Sequence, residues 1–147
     1  MAAAITFCDV ALPLDGFLAL EQEASAAGYN FLTRMQSDWN DSSNRFAHPG
    51  ERLIGAYLEK TLVAIGGLNS DPYEEDARIG RLRHVYVGHD YRRRGIARNI
   101  VHHILARNTQ FGTIRLRTPN SDASRFYESI GFAPIDSPTA THIIIAK

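Results

Sequence analysis

Three consecutive guanidinium groups, Arg92, Arg93 and Arg94, run straight into Gly95 and then Ile96-Ala97-Arg98. Arginine offers a planar fork of donors that matches phosphate oxygens and keeps its charge at ordinary pH. The following residues, Ile96-Ala97-Arg98-Asn99-Ile100-Val101-His102-His103-Ile104-Leu105, have helical periodicity, so the glycine stands at a helix start. Backbone N–H groups there have no intrahelical partner, and the helix dipole adds about half a positive charge at the same point. Basic side chains, a residue without Cβ and free amides together describe a seat for phosphate. Neither the Walker glycine loop nor the dinucleotide glycine fingerprint is present, so a solvated Arg-rich turn before a surface helix is the competing reading.

Two further residues carry chemistry of less settled direction. His84, in Leu82-Arg83-His84-Val85-Tyr86-Val87, has a side chain that ordinarily titrates near pH 6.5, which suits a base or a water relay. In a regular strand it shares a face with Leu82 and Tyr86 and is core; a bulge would undo that parity. Catalysis, packing and substrate contact all stay open for it. Trp39, in Asp38-Trp39-Asn40-Asp41-Ser42-Ser43-Asn44, is either the anchor of a surface loop or one wall of a substrate cleft. His102 and His103 show no metal-ligand spacing and read as helix surface. Cys8 is the one cysteine, which excludes an intramolecular disulfide and a cysteine-based zinc cluster; it reads as a small buried or half-buried strand residue. No metal is expected.

The elements that must hold these groups follow from period and punctuation. Met1–Ala4 reads as a ragged start and Ile5–Val10 as a first strand. Pro13 suits a first helical turn, Leu14, Phe17 and Leu18 carry a helical stripe, and Gly28 ends it. Phe31, Leu32, Met35 and Trp39 suggest a second stripe before the polar loop. Leu53–Leu58 and Leu62–Leu68 alternate around Glu59-Lys60-Thr61, the signature of a hairpin. Asn69–Asp76 is a polar loop, Ala77–Val87 a strand, and Gly112 closes the helix that follows the basic turn. Thr113–Thr118 is strand-like, so strand, helix and strand make a right-handed crossover with parallel pairing. Ser121 or Asp122 caps a helix to about Ile130, Gly131 stops it, and Phe132–Pro138 and Thr141–Ala146 are final strands. The expected class is one α+β or mixed α/β domain over residues 1–147.

The chain has 147 residues with 44% hydrophobic content, enough for one core. Formal net charge is zero, yet residues 78–98 hold seven arginines against Asp90 alone, whereas acids dominate residues 1–60. A field so local suits a small polyanion better than a nucleic-acid backbone, which needs a broader basic face. No segment reads as a signal or a membrane span, so a cytoplasmic protein without membrane or nucleic-acid partners is expected.

Two blocks carry a resemblance to a known family. Arg92-Arg93-Arg94-Gly95-Ile96-Ala97 resembles the Q/R-x-x-G-x-G/A signature of the GNAT-family N-acetyltransferases, and Leu82–Val87 looks like that family's fourth strand. Asn120-Ser121-Asp122-Ala123-Ser124-Arg125-Phe126-Tyr127-Glu128-Ser129-Ile130-Gly131-Phe132 resembles its N-x-x-A-x-x-F-Y-x-x-x-G-F block. The match is close over residues 79–133 and loose upstream. The resemblance implies an acyl-CoA N-acyltransferase fold: a mixed, mostly antiparallel sheet with one parallel crossover, splayed between strands four and five. It implies acetyl-CoA as co-substrate. Its phosphates would sit on the amides of Arg93, Arg94, Gly95, Ile96 and Ala97, with Arg92 and Arg98 nearby. Its pantetheine arm would lie along Val85, Tyr86 and Val87 and against Asn120, and Tyr127 would be the general acid. The acceptor is expected to be a small primary amine, with Trp39, Arg83 and His84 as candidate contacts; by charge, Glu21, Glu23, Asp38 and Asp41 are candidates to line a pocket for a cationic amine, whereas Arg78, Arg81 and Arg83 suit a carboxylate or another anion on it. A protein amine, a CoA-binding module without catalysis and a homodimer stay open.

Overall fold

The computed structural model describes residues 4–146, so the expected ragged start falls, apart from Ala4, outside it. Strands β1 (Ile5–Asp9), β2 (Arg52–Leu58), β3 (Thr61–Ser70), β4 (Ile79–Val87), β5 (Thr113–Leu116), β6 (Ala133–Pro134) and β7 (His142–Ile145) form one sheet. Its order is β1-β2-β3-β4-β5-β7-β6. The β4–β5 pair is parallel and the other described pairs are antiparallel. Helices α1 (Phe17–Ala26) and α2 (Phe31–Asn40) precede the hairpin, α3 (Ile96–Arg107) makes the crossover, and α4 (Ser121–Ile130) follows β5.

The helical stripes decide which side each helix covers. Phe17, Leu20 and Ala24 of α1 and Leu32 and Met35 of α2 recur at i, i+3 and i+4. They are buried with Leu53, Leu62, Ile65 and Tyr86 on one face of the sheet. Ile96, Ile100, Val101 and Ile104 of α3 are buried with Ile54, Ala56, Leu82 and Ile114 on the other. Each fully buried isoleucine contributes about 1.5–3 kcal/mol, so α3 is fixed by its apolar stripe and not by its polar, histidine-bearing side.

Several expectations shift. Pro13 precedes α1, which starts only at Phe17. The second helix runs on to Asn40 and takes in Trp39, where a polar loop was expected. Cys8 is exposed, because β1 is an edge strand whose inward residues are Ile5 and Phe7. Asn120, and neither Ser121 nor Asp122, caps α4: its Oδ1 accepts from Ala123 N at 2.8 Å. Strand β3 persists to Ser70, α3 stops at Arg107 well before Gly112, and β6 is just Ala133–Pro134. The hairpin, the crossover and the stop at Gly131, where φ is 123°, stand as expected.

Two local features shape the middle of the sheet. Pairing of β4 with β5 covers only Ile79↔Thr113, Gly80↔Ile114 and Arg81↔Arg115. At this last pair the two guanidinium groups are bridged by Asp71 Oδ2, 3.3 Å from each, and Arg115 also reaches Glu74 at 2.6 Å. Beyond that point the strands part, so the expected splay begins at a pinned ionic cluster. The second feature is a bulge. The β3–β4 register passes from Gly67↔Arg83 to Ile65↔Tyr86, leaving Gly66 opposite both His84 and Val85, and His84 adopts φ 61°. The parity of a regular strand is therefore broken. Leu82 and Val85 pack on the α3 side, while Tyr86 packs on the α1–α2 side and His84 lies against Phe31 of α2.

Candidate active site

A cleft of about 780 Å3 occupies the splay. Leu82–Val87 of β4 form one wall, and Leu116 to Asn120 with Ala123, Phe126 and Tyr127 form the other. Arg92, Arg93, Gly95, Ile96, Ala97 and Arg98 close one end; Tyr29, Phe31, Arg34, Tyr73, Arg83 and His84 lie at the other.

The basic end is built by backbone conformation. Gly95 caps α3 with φ 77°, and a Cβ placed on it would meet nothing within 4 Å. Glycine is needed here for a left-handed turn and an open approach, and tight helix-on-sheet packing has no part in it. The first amides of α3 are thus presented at the cleft, with the helix dipole behind them. The arginines divide. Arg92 donates from Nε to Val87 O at 3.0 Å and lies 5.4 Å over the Tyr86 ring. Arg93 lines the cleft with φ 65°. Arg98 donates to Ser129 Oγ at 2.8 Å, tying α3 to α4. Arg94 is turned away: it bonds Asp90 O at 3.4 Å, lies 5.6 Å from the Tyr91 ring, and is not among the cleft residues. Its side chain therefore contributes charge at a distance, although its backbone belongs to the turn.

The walls carry the other expected residues. Val85, Tyr86 and Val87 line the cleft along the edge of β4 that β5 no longer pairs. The Tyr86 ring itself belongs to the α1–α2 core, where its hydroxyl bonds the Glu23 carboxylate. Asn120 lines the cleft with Oδ1 committed to its cap. Tyr127 is half-buried, edge-on to Phe126 at 5.0 Å and to Phe132 at 5.7 Å, and its hydroxyl bonds nothing among the described residues. Burial pushes its pKa up to about 12, so it holds its proton across the neutral range.

His84 is 9% exposed, stacked on Phe31 at 6.3 Å and edge-on to Phe46 at 6.0 Å. Neither ring nitrogen has a partner among the described residues. Burial first, then the charges of Arg83 and Arg34, push its pKa down to about 3. It is a neutral imidazole at pH 7 and a weak base, which suits hydrogen bonding to a substrate or a water better than holding a proton. Arg83 lines the cleft half-buried; burial and then Arg81 lower its pKa, and Asp38 works in the opposite sense. Trp39 does not line the cleft: it packs on the α1–α2 core, because α2 continues through it. Glu21, Glu23, Asp38 and Asp41, candidates for an amine pocket by charge alone, do not line it either. Tyr29, Phe31, Arg34 and Tyr73 line the cleft without a signal in the sequence that marks them for it. The i, i+3 spacing of Phe31 and Arg34 puts them on one helix side, but nothing local says that this side faces β4. Among the described residues no cluster of His, Cys, Asp or Glu could hold a metal ion, and no helix is long and apolar enough to cross a membrane.

Comparison with known proteins agrees with this geometry. A candidate acetyltransferase from Exiguobacterium sp. 255-15 superposes with a TM-score of 0.84 at 27% identity, covering 97% of this chain and 93% of that one. A candidate GNAT-family acetyltransferase from Desulfovibrio desulfuricans gives 0.78 at 17% identity, covering 98% and 100%. An acetyltransferase from Thermus thermophilus gives 0.74 at 16% identity, covering 99% of each chain. No curated protein matches. The model of the acetyltransferase (GNAT) family matches residues 17–132, a span that includes the bulged strand, the basic turn and α4 with Tyr127. The chain belongs to the GNAT acetyltransferase family.

Proposed function

We propose that the protein is an acetyl-CoA-dependent N-acetyltransferase that moves the acetyl group directly to a primary amine of a small molecule, with both substrates bound together. The observation that carries this reading is the continuity of one cleft from the basic turn, past Tyr127, to the Arg83–His84 end. Two ligands can meet there without a covalent enzyme intermediate, and the one cysteine, Cys8, lies exposed on β1, outside the cleft.

The residues fit acetyl-CoA on the structure's own terms. Free amides at the start of α3, an unobstructed Gly95 and the side chains of Arg92, Arg93 and Arg98 suit a diphosphate. The unpaired edge at Val85–Val87 suits an extended amide-bearing chain, which can add to it as a strand would. Bound there, acetyl-CoA supplies an electrophilic thioester carbonyl. A backbone N–H at Val85–Val87 would be placed to donate to a thioester carbonyl oxygen, where negative charge would develop. Tyr127 Oη holds the proton that a departing thiolate needs. An alkylamine with a pKa near 10.4 must shed a proton, and no carboxylate among the described residues lines the cleft to take it. His84 accepts a hydrogen bond from the amine, or orients a water that carries the proton out.

The test is a small-amine screen with acetyl-CoA, following free thiol and the mass of the product. Acetylated product above the hydrolysis background supports the proposal. Calorimetry without acetyl-CoA binding at millimolar ligand refutes it. Binding without transfer to small amines or to a peptide array would make the chain a CoA-binding module.

A further inference from the structure

Arg34 and Arg83 stand at the acceptor end of the cleft without a counter-ion. Among the described residues, neither guanidinium is in an ion pair, and neither side chain makes a hydrogen bond within the protein. The neighbouring charges are otherwise committed. Arg81 is neutralised by Asp71 and donates to Thr139 O at 2.7 Å. Glu23 is occupied by the Tyr86 hydroxyl and His89 N. Asp38, one turn beyond Arg34 on α2, acts on Arg83 through space but makes no ion pair with it and does not line the cleft. A half-buried guanidinium beside other guanidinium groups is costly unless an anion reaches it.

A second observation at the same place points to a ligand. Among the described residues, neither buried ring nitrogen of His84, which lines the cleft, has a partner, and that costs stability unless something bound there satisfies them. No aspartate or glutamate among the described residues lines the cleft, so nothing there attracts a polycation. Tyr29 and Tyr73, 41% and 60% exposed, give the same end an aromatic rim.

We infer that the acceptor amine carries its own anionic group, a carboxylate or a phosphate, and that Arg34 and Arg83 hold it while His84 hydrogen-bonds the acceptor. Arg83 supplies a half-buried guanidinium, and Arg34, exposed on α2, adds a second at the same end of the cleft. A carboxylated amine with an apolar or aromatic body fits this end; a polyamine is repelled from it. The inference rests on the acetyltransferase reading for the word acceptor, but the anion site is a property of the cleft and can be read without turnover.

The experiment has two arms. In the first, the protein is saturated with CoA so that the basic turn is filled, and phenylacetate, phenyl phosphate and benzyl alcohol are titrated by calorimetry. One of the two anions should bind, the alcohol should not, and Arg83→Met and Arg34→Met should each weaken the anion about tenfold. The preferred anion tells carboxylate from phosphate. In the second arm, acetyl transfer is compared for phenylalanine against phenethylamine, phosphoethanolamine against ethanolamine, and spermidine. The anion-bearing member of one pair should lead by about tenfold or more in kcat/KM, and Arg83→Met should erase most of that preference. Anions that do not bind, binding indifferent to both substitutions, or spermidine as the best acceptor would overturn the inference. Anion binding without any acetyl transfer would instead count against the acetyltransferase reading and leave the anion site standing.

Discussion

Replacing Tyr127 with Phe separates chemistry from packing unusually well. The ring lies edge-on to Phe126 and Phe132, so phenylalanine keeps the contacts and the volume. The hydroxyl makes no hydrogen bond among the described residues, so its loss orphans no partner, and the change in stability should stay within about 0.5 kcal/mol. A proton donor to the departing thiolate is worth far more. General-acid catalysis contributes about 10²–10⁴-fold, which at about 1.4 kcal/mol per decade is roughly 3–5 kcal/mol of barrier. The expected variant melts with the wild type, binds acetyl-CoA within about threefold, and loses at least about a hundredfold in kcat. Thermal unfolding, calorimetry and thiol-release kinetics on the same preparation measure the three quantities. Because burial pushes the Tyr127 pKa up to about 12, wild-type kcat should also show no loss from its ionisation below about pH 11. An equal fall in kcat and in acetyl-CoA affinity, or a variant as active as the wild type, would refute the assignment and leave Tyr127 as a wall of the cleft.

Three further perturbations test the frame around it. Gly95→Ala forces a Cβ into φ 77° at a site with no neighbour to clash, so folding should lose only about 1 kcal/mol while acetyl-CoA affinity drops about tenfold; unchanged affinity by calorimetry would mean that the turn is not the seat. His84 is held near pKa 3 against 6.5 when unfolded, so between those values the unfolded chain binds the extra proton and stability falls as pH falls. Relative to His84→Gln, the wild type should therefore lose up to about 1.4 kcal/mol per pH unit below pH 6.5 in denaturant titrations, and parallel curves would contradict a buried neutral imidazole. Asp71→Asn leaves Arg81 and Arg115 facing each other without the fully buried carboxylate that bridges them, and urea unfolding should show a loss of about 3–5 kcal/mol; a change under 1 kcal/mol would show that the cluster does not pin the strands.

The two ends of the cleft differ in how plainly the sequence announces them, and the reason is physical. The donor end is contiguous: Arg92–Arg98 is a turn and a helix start, and capping and φ > 0 at Gly95 act within a few residues. The block Asn120–Phe132 is equally local, a cap, a helix and a glycine stop, misjudged only in which of three polar residues accepts the capping bond. The acceptor end is assembled from Tyr29, Phe31 and Arg34, from Tyr73, and from Arg83 and His84, which meet only through tertiary packing. Its placement turns on the bulge at His84, and alternation along β4 cannot show where β3 will slip by one residue. Gly67 is the one hint: a Cβ there would come within 2.5 Å of the Phe46 ring, the ring that stands edge-on to His84. Trp39 went the other way, since a polar neighbourhood masked its continuation of the helical stripe into the core.

Charge shows the same division most sharply. Counted along the chain, the acids of the first sixty residues suggest a pocket that draws in a cationic amine, and Arg78, Arg81 and Arg83 suggest one that takes an anion, with nothing to choose between them. Folding commits several of them elsewhere: Glu23 to Tyr86 and His89, Glu51 to the amides of His48 and Ser70, Asp9 to Arg52. The arginines, by contrast, collect in the cleft from α2, β4, the basic turn and the segment after β5. A field of that sign disfavours ammonium over the neutral amine, because a like charge nearby lowers an amine's pKa. The cleft can thus promote loss of the acceptor's proton without a strong base in it. On that argument the rate should follow the acceptor's own pKa across a series of anion-bearing amines, rising as the pKa falls toward that of an α-amino group near 8. A rate that instead follows a fixed enzyme pKa near 6.5, whichever amine is offered, would return the proton to a protein base and contradict the lowering of the His84 pKa to about 3.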